Sequence, residues 1–262
     1  MALTQRKHFF ADFTQERVDL ALLQGASAVT AVTDNAVNVF QLRRPGHYLV
    51  INNTGQNDAK VPTAGATGWV LPCDNTNGDG IEFNPSVGLT AAVGGPLQFT
   101  IGTDPAFFLR AVVNAGTLAN YDVLQVGFRK QAAYDNVDSP ANLTVYADIA
   151  VVGINDNAGA LATNTDNDNA GITTTALAAT APTADDYVAL EVDVSALGAV
   201  TYKVGVHATT VAGALAALAA DASAVAFSFD STDVVIPCGF LVSTGAGAHT
   251  TALTRLEVGY QQ

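Results

Sequence analysis

Apolar and polar side chains alternate over most of the chain, and this alternation constrains the fold more than any other feature. In the segment 187–194 every second residue is apolar, and the residues between them include Glu191 and Asp193. The closing segment 254–260 repeats the pattern. Because successive side chains of a β-strand point to opposite faces, the pattern predicts sheets with one buried and one solvent-facing side. Glu191 and Asp193 are expected on the solvent-facing side.

Short alternating segments recur along the whole sequence, and only the Ala- and Leu-rich stretch 211–222 has the pattern of a helix. The sequence therefore predicts an all-β protein, an antiparallel β-sandwich of jelly-roll or concanavalin-like type, with one short helix capping an open end. We expect residues 1–28 to form an arm or a strand that leads into the sandwich, and residues 29–262 to form the β-sandwich domain. The polar tract 155–171 has the composition of a mobile loop.

Charge and hydropathy exclude several classes of function. The net charge of −13 argues against nucleic-acid binding and against docking on anionic membranes, both of which need clustered Lys and Arg. No apolar run approaches the roughly 20 residues of a membrane span. Only 13% of the residues are charged, below the roughly 25% that is usual. This composition suits either a surface that packs against other subunits or a weakly charged soluble protein.

The two cysteines, Cys73 and Cys238, both follow a proline in similar local sequences. Acidic residues occur too early in the sequence for an N-terminal signal peptide, so the chain is expected to fold in a reducing compartment. Two buried free thiols are therefore favoured over a disulfide bridge.

The segment Glu191-Val-Asp193-Val-Ser195 contains part of a catalytic pattern. Sandwich-fold glycosidases of the laminarinase type carry three carboxylates on one strand, of which one is the nucleophile and another the general acid. Here Ser195 stands near the third position, and a hydroxyl cannot serve as that acid. The sequence therefore predicts that the protein is not an enzyme.

Oxygen-bearing side chains cluster in the segment 74–82, where Asp74, Asp79 and Glu82 are weak candidates for calcium ligands. Their spacing differs from that of an EF-hand loop, and the same residue types dominate ordinary turns. The four histidines are scattered singly, so no zinc site is expected. No metal or other cofactor is predicted beyond this calcium candidate.

The order of segments over residues 75–260 resembles that of tailed-bacteriophage virion proteins with a concanavalin-like or jelly-roll sandwich. The resemblance lies in strand patterns: Phe99-Thr-Ile-Gly-Thr-Asp-Pro-Ala-Phe-Phe108, Asp122-Val-Leu-Gln-Val-Gly-Phe-Arg-Lys130, the hairpin 188–206 and the ending 236–260. It implies a homo-oligomeric capsid decoration or cement protein. Its partners would be the major capsid protein and copies of itself, on the capsid surface after assembly in a bacterial host cytoplasm.

Aromatic and basic residues near the N-terminus are the first candidates for contact with such a partner. Interfaces gain most from buried aromatic and arginine anchors, and this criterion selects the following residues: Arg6, Phe9, Phe10, Phe13 and Arg17. The three phenylalanines fit a place in the core equally well.

The concanavalin-like resemblance also permits a carbohydrate-binding, lectin-like module, which could belong to a phage tail. Such sites combine exposed aromatic rings with Asp and Asn side chains. Trp69, Tyr121 and Tyr134 are the candidates for this alternative.

Overall fold

The computed structural model describes residues 7–16, 37–44, 46–54, 62–71, 77–87, 97–132, 140–168, 170–244 and 250–261. Seventeen strands occur in these ranges: β1 His8–Asp12, β2 Val37–Gln41, β3 His47–Thr54, β4 Thr63–Gly65, β5 Gly68–Val70, β6 Asn77–Val87, β7 Phe99–Thr100, β8 Phe107–Asn114, β9 Tyr121–Lys130, β10 Ile149–Ile154, β11 Leu161–Asp166, β12 Thr173–Ala176, β13 Tyr187–Val194, β14 Val200–His207, β15 Ala219–Ala220, β16 Val234–Thr244 and β17 Ala252–Tyr260. One α-helix, α1, spans Val211–Ala216, and 3-10 helices span Leu118–Asn120 and Pro140–Val145.

The strands form two antiparallel sheets that pack face to face. Sheet A has the order β15-β14-β13-β8-β17-β5-β4, and β1 pairs with β17 beside β5. Sheet B has the order β12-β11-β10-β9-β16-β6-β3-β2, and β7 pairs with one end of β16. The predicted all-β sandwich is therefore confirmed, and so is the hairpin formed by β13 and β14.

The main core lies between the two sheets and is built from the apolar parity of each strand. On β13 this parity is completely buried, as the alternation predicts: Val188, Leu190, Val192 and Val194. Aromatic rings fill one end of the core, where Phe99 stacks on Phe107 with a centroid distance of 4.3 Å. Phe128 of sheet B meets the same Phe107 ring edge-on at 5.0 Å. Such contacts add to the gain from burying the ring surface.

The outer face of sheet B is covered, which the alternation did not predict. Leu143 and Tyr146, in and just after the second 3-10 helix, pack on this face against Cys238 and Phe240. The alternation predicts a strand that starts at Leu143. The residues 143–148 instead precede the strand, and Leu143 and Tyr146 contribute to a second, smaller core. Cys238 is a free, buried thiol there, whereas Cys73 lies outside the described residues.

Three further local predictions were wrong. The tract 155–171 contains the strand β11, whose polar side chains are hydrogen-bonded to its neighbours; Asn164, for example, donates to Gln125 at 3.0 Å. The helix is shorter than the predicted 211–222, because the chain leaves it to form β15. The alternation also predicts a strand over Val225–Phe229, but these residues contain only one isolated bridge, between Ser228 and Ala199.

None of the described helices is long and apolar enough to cross a membrane.

Candidate binding surface

A row of charged side chains crosses the outer face of sheet A. The register places Glu191 of β13 between Lys203 of β14 and Arg110 of β8. Arg110 in turn lies opposite Glu257 of β17, which lies opposite Phe10 of β1. Directly paired residues of neighbouring strands point to the same face. Basic and acidic side chains therefore alternate over four strands, and a phenyl ring ends the row.

Ion pairs hold this row in place. Arg110 Nε donates a hydrogen bond to Glu191 Oε2, and Lys203 Nζ donates to Glu191 Oε1 at 2.6 Å. Lys203 Nζ also lies 2.5 Å from an Asp193 carboxylate oxygen. At the other end, Arg255 donates to Glu257 at 3.2 Å. Glu191 is buried, so the expectation that it faces solvent was wrong; its two cationic neighbours and α1 cover it.

The pKa values on this face shift because the groups are partly buried and close together. Burial is the main cause that raises the pKa of Asp193, and the nearby Glu191 adds to it, while Lys203 acts in the opposite direction. Burial lowers the pKa of Lys203, but its bonds to Asp193 and Glu191 outweigh that effect and raise it. Lys203 is therefore a cation at neutral pH.

Two aromatic rings and a glycine form a second row beside the charged one. Asp193 lies opposite Phe108, and Gly259 lies opposite both Phe108 and His8. A Cβ atom at Gly259 would lie 3.0 Å from the His8 ring and 3.7 Å from the Phe108 ring. Gly259 is itself buried, so the absence of a side chain lets the two rings lie close together over its backbone.

Helix α1 forms a wall at one side of this face. Gly205 lets the helix approach the sheet, because a Cβ atom there would lie only 2.3 Å from the carbonyl oxygen of Ala214. Leu215 and Leu218 then stand beside the charged row and enclose a pocket of about 390 Å³ over Glu191. We call the charged row, the aromatic row and this pocket together the sheet A surface.

The two carboxylates of the partial catalytic pattern are both paired with cations of the same surface. Glu191 accepts from two cations, and Asp193 is bonded to Lys203. Ser195 is a turn residue whose hydroxyl accepts from the backbone of Ala199, so it supplies no third catalytic group.

The predicted partner-binding residues are divided between the core and the surface. Phe9 and Phe13 are fully buried. At these two positions the side chains therefore belong to the core and not to an exposed partner-binding surface. Phe10 is half-buried on the sheet A surface, with the Arg255 guanidinium 4.7 Å from its ring centre. Arg6 and Arg17 lie outside the described residues.

The calcium prediction does not hold for Glu82, which is buried under the second core. Its carboxylate accepts hydrogen bonds from Arg129 at 2.8 Å, from Asn84 at 3.0 Å and from the Tyr146 hydroxyl at 2.5 Å. These donors already occupy both oxygens. The side chains of Asp74 and Asp79 lie outside what the structure describes, and its described residues contain no cluster of three metal-ligating acidic, His or Cys side chains.

Of the three aromatic residues predicted for a sugar site, only the side chain of Trp69 is described by the structure. Trp69 is completely buried in the core, and its indole N–H donates to the carbonyl oxygen of Glu16 at 3.3 Å. Tyr134 and the side chain of Tyr121 lie outside the described residues. Phe108 and Arg110 were not among the residues predicted for a site. The alternation of side chains within 107–114 could have placed both on an outer face.

No protein-family model and no curated protein matches the chain. Solved structures resemble it in fold. A protein from Shewanella oneidensis MR-1 has a TM-score of 0.47 at 9% identity, with 96% of this chain and 85% of that one covered. The carbohydrate recognition domain of Emp47p has a TM-score of 0.46 at 9% identity, with 90% and 100% covered. The exoplasmic domain of VIP36 bound to Ca²⁺ and Man3GlcNAc has a TM-score of 0.48 at 9% identity, with 81% and 85% covered.

Proposed function

We propose that this protein is a non-catalytic carbohydrate-binding module and that the sheet A surface binds the glycan. The observation that carries the proposal is the alternating row Lys203–Glu191–Arg110–Glu257, fixed by the register of four strands. A sugar presents neighbouring hydroxyl groups, each of which both donates and accepts hydrogen bonds. Arg110 and Lys203 offer partly exposed donors, and Glu257 is the less exposed acceptor beside them, so the row can serve both roles of such hydroxyl groups.

Rigidity supports this assignment. The four side chains lie on the strands of one sheet, and ion pairs fix their positions before any ligand arrives. Sites built on regular elements hold their geometry better than sites on loops. Less side-chain freedom is then lost on binding, which improves affinity.

Phe108 of the aromatic row and Phe10 at the end of the charged row supply the apolar part of such a site. Phe10 and Phe108 are both half-buried, so part of each ring remains accessible to a ligand. The C–H face of a sugar ring can pack on a phenyl ring, and the accessible parts of Phe10 and Phe108 are the rings that this face offers. Hydroxyl groups at the edge of the same sugar would then reach Arg110 or Asp193.

The ion pairs formed by Glu191 and Asp193 support binding without hydrolysis. Glycoside hydrolysis needs one carboxyl group that donates a proton and a second that acts as nucleophile or base. Both oxygens of Glu191 are engaged by cations, Oε2 by Arg110 and Oε1 by Lys203. Asp193 is tied to Lys203 rather than open to a leaving group.

A glycan array, run with and without calcium and followed by calorimetry on the hits, tests the proposal. Phe108→Ala and Arg110→Gln should each lower the affinity by about tenfold or more, as expected for residues central to a binding site. Val145→Ala, in the 3-10 helix on the outer face of sheet B, and Arg44→Gln, in the turn after β2, are controls, because both residues are exposed and neither belongs to the sheet A surface. Failure of the wild-type protein to bind any glycan would overturn the proposal.

A capsid decoration role remains a second proposal, favoured by exposed apolar side chains at one end of sheet A. Leu197 in the β13–β14 turn is 82% exposed, and Val225 in the adjoining segment is 53% exposed. Two backbone hydrogen bonds join the segments: Phe229 donates to the carbonyl oxygen of Gly198, and Val200 donates to that of Phe227. Co-sedimentation with phage capsids that lack the protein tests this role: saturable binding that Leu197→Asp abolishes supports it, and absence of binding by the wild-type chain rejects it.

A further inference from the structure

The charges of the sheet A surface are arranged in two layers. The basic side chains Arg110, Lys203 and Arg255 are outermost, and each is 30% or 31% exposed. The acidic side chains paired with them lie deeper and are between 3% and 18% exposed: Glu191, Glu257 and Asp193. The formal charges cancel, but a ligand that approaches from solvent meets the cations first.

From this layering we infer that the glycan is acidic and that its carboxylates bind to Arg110, Lys203 and Arg255. The inference rests on the proposed function, which it extends by naming the class of sugar: a uronic acid or another carboxylated residue. A neutral sugar would gain equally from exposed donors and exposed acceptors. Here most of the accessible groups are donors with a positive charge.

Arg110 has the donors needed for such a contact. Within the described part of the chain it donates one hydrogen bond, from Nε to Glu191, and its Nη1 lies 3.6 Å from Glu257, beyond hydrogen-bonding distance. Its terminal N–H groups are therefore able to receive a carboxylate. Arginine binds carboxylates through two parallel hydrogen bonds, which gives specificity as well as affinity.

Lys203 and the neighbouring pocket extend the contact beyond a single charge. Lys203 uses two of its three ammonium protons on Glu191 and Asp193. Leu215 and Leu218 line the other side of the pocket, whose volume of about 390 Å³ is within the range of small-molecule sites. An acidic sugar residue can thus place its carboxylate on the cations and its apolar face against the leucines.

The electrostatic surroundings make this preference specific to the site. The chain as a whole carries a charge of −13, so a polyanion is repelled from most of its surface. Asp12 is an exposed carboxylate at the margin of the same face, opposite Arg255, and its Oδ1 accepts hydrogen bonds from Thr14. Salt screens both the attraction at the site and the repulsion by the rest of the surface, and the attraction acts at shorter range on the bound glycan, so the affinity for an acidic glycan should fall moderately as salt is added.

Pairs of glycans that differ only in the carboxylate test the inference. We would measure binding of galacturonan oligosaccharides and their methyl esters by calorimetry at two salt concentrations. Glucuronate-containing and sialylated oligosaccharides, each with its neutral counterpart, would complete the set. The acidic member of at least one pair should bind about tenfold more tightly than its neutral partner, and less tightly at high salt.

Three variants of the surface and one control show whether its positive charges attract the acidic glycan. Arg110→Gln and Lys203→Gln should weaken binding of the acidic glycan, while Arg44→Gln should leave it unchanged. Glu257→Gln should raise the affinity about two- to fivefold, because it removes a negative charge next to the site and keeps an acceptor oxygen. A site for neutral sugars would show no such gain.

The outcomes separate the inference from the proposed function. Equal or tighter binding of the neutral members would overturn the inference and leave the carbohydrate-binding function standing. Failure of every glycan, acidic or neutral, would overturn both. Equally tight binding of polyglutamate would show that the surface binds any polyanion, which contradicts recognition of an acidic sugar.

Discussion

The buried ion pair between Glu82 and Arg129 provides the sharpest test of how the outer layer of sheet B is stabilised. Both side chains are almost completely inaccessible, and Arg129 Nε lies 2.8 Å from Glu82 Oε1. The Tyr146 ring covers the guanidinium at 4.0 Å, and its hydroxyl donates to Glu82. Burial lowers the pKa of Arg129, but Glu82 and Tyr146 are among the neighbours that raise it overall, so the residue stays charged.

Glu82→Gln removes the negative charge from this pair and changes the shape very little. The variant leaves a guanidinium ion in a place that water does not reach, which should cost about 3–5 kcal/mol of the free energy of unfolding. That is a large part of the roughly 5–15 kcal/mol that stabilises a typical domain. The same substitution at the partly exposed Glu257 should cost less than about 1 kcal/mol, because solvent screens that residue.

The double variant Glu82→Leu/Arg129→Met separates the effect of the unpaired charge from the value of the pair itself. Replacement of both charges by apolar groups removes two desolvation costs, so the double variant should be more stable than Glu82→Gln. Urea unfolding followed by the fluorescence of Trp69, the single tryptophan and a buried one, gives the free energies. A cost below about 1 kcal/mol for Glu82→Gln would show that the charge of Glu82 does not stabilise Arg129.

Three further predictions concern single residues. Gly239→Ala should destabilise the protein by about 1–3 kcal/mol in urea unfolding, because its new methyl group would lie 2.1 Å from the Phe83 ring. In a Cys73→Ser background, native Cys238 should resist thiol reagents at pH 8 and react after unfolding, because burial raises the pKa of its thiol. Asp193 has a folded-state pKa above its ordinary 3.8, so it binds a proton more tightly when folded. The stability of the wild type relative to Asp193→Asn should therefore increase as the pH falls from 7 to about 4, and an unchanged difference would contradict the raised pKa.

The alternation in the sequence was sufficient to predict which side chains of β13 and β14 face the core, and hence the sandwich. It could not predict the neighbours of a strand, because the register between distant strands depends on the whole fold. The pairing of β8 with both β13 and β17 brings Arg110 next to Glu191 and Glu257, and no local pattern contains that information.

The sequence also could not show which polar side chains are buried in the folded protein. Glu191 and Glu82 both follow the polar parity of a strand, yet both are buried, because α1 covers one and Tyr146 covers the other. The strand β11 was missed for a related reason. Its polar residues favour a loop by composition, but in the sheet their hydrogen bonds are satisfied by neighbours such as Gln125.

The positions of the last two strands have a consequence for biosynthesis. β16 lies between β9 and β6, and β17 lies between β8 and β5, so both complete the interior of a sheet. A ribosome adds about 5–20 residues per second. Sheet B cannot close until β16 has been made, and sheet A cannot close until the chain reaches Tyr260, which pairs with Phe107. Until then β8 and β9 each lack a partner along one edge, and unpaired edges invite pairing with other chains. We therefore expect nascent or truncated chains without β17 to depend on chaperones and to be cleared by proteases.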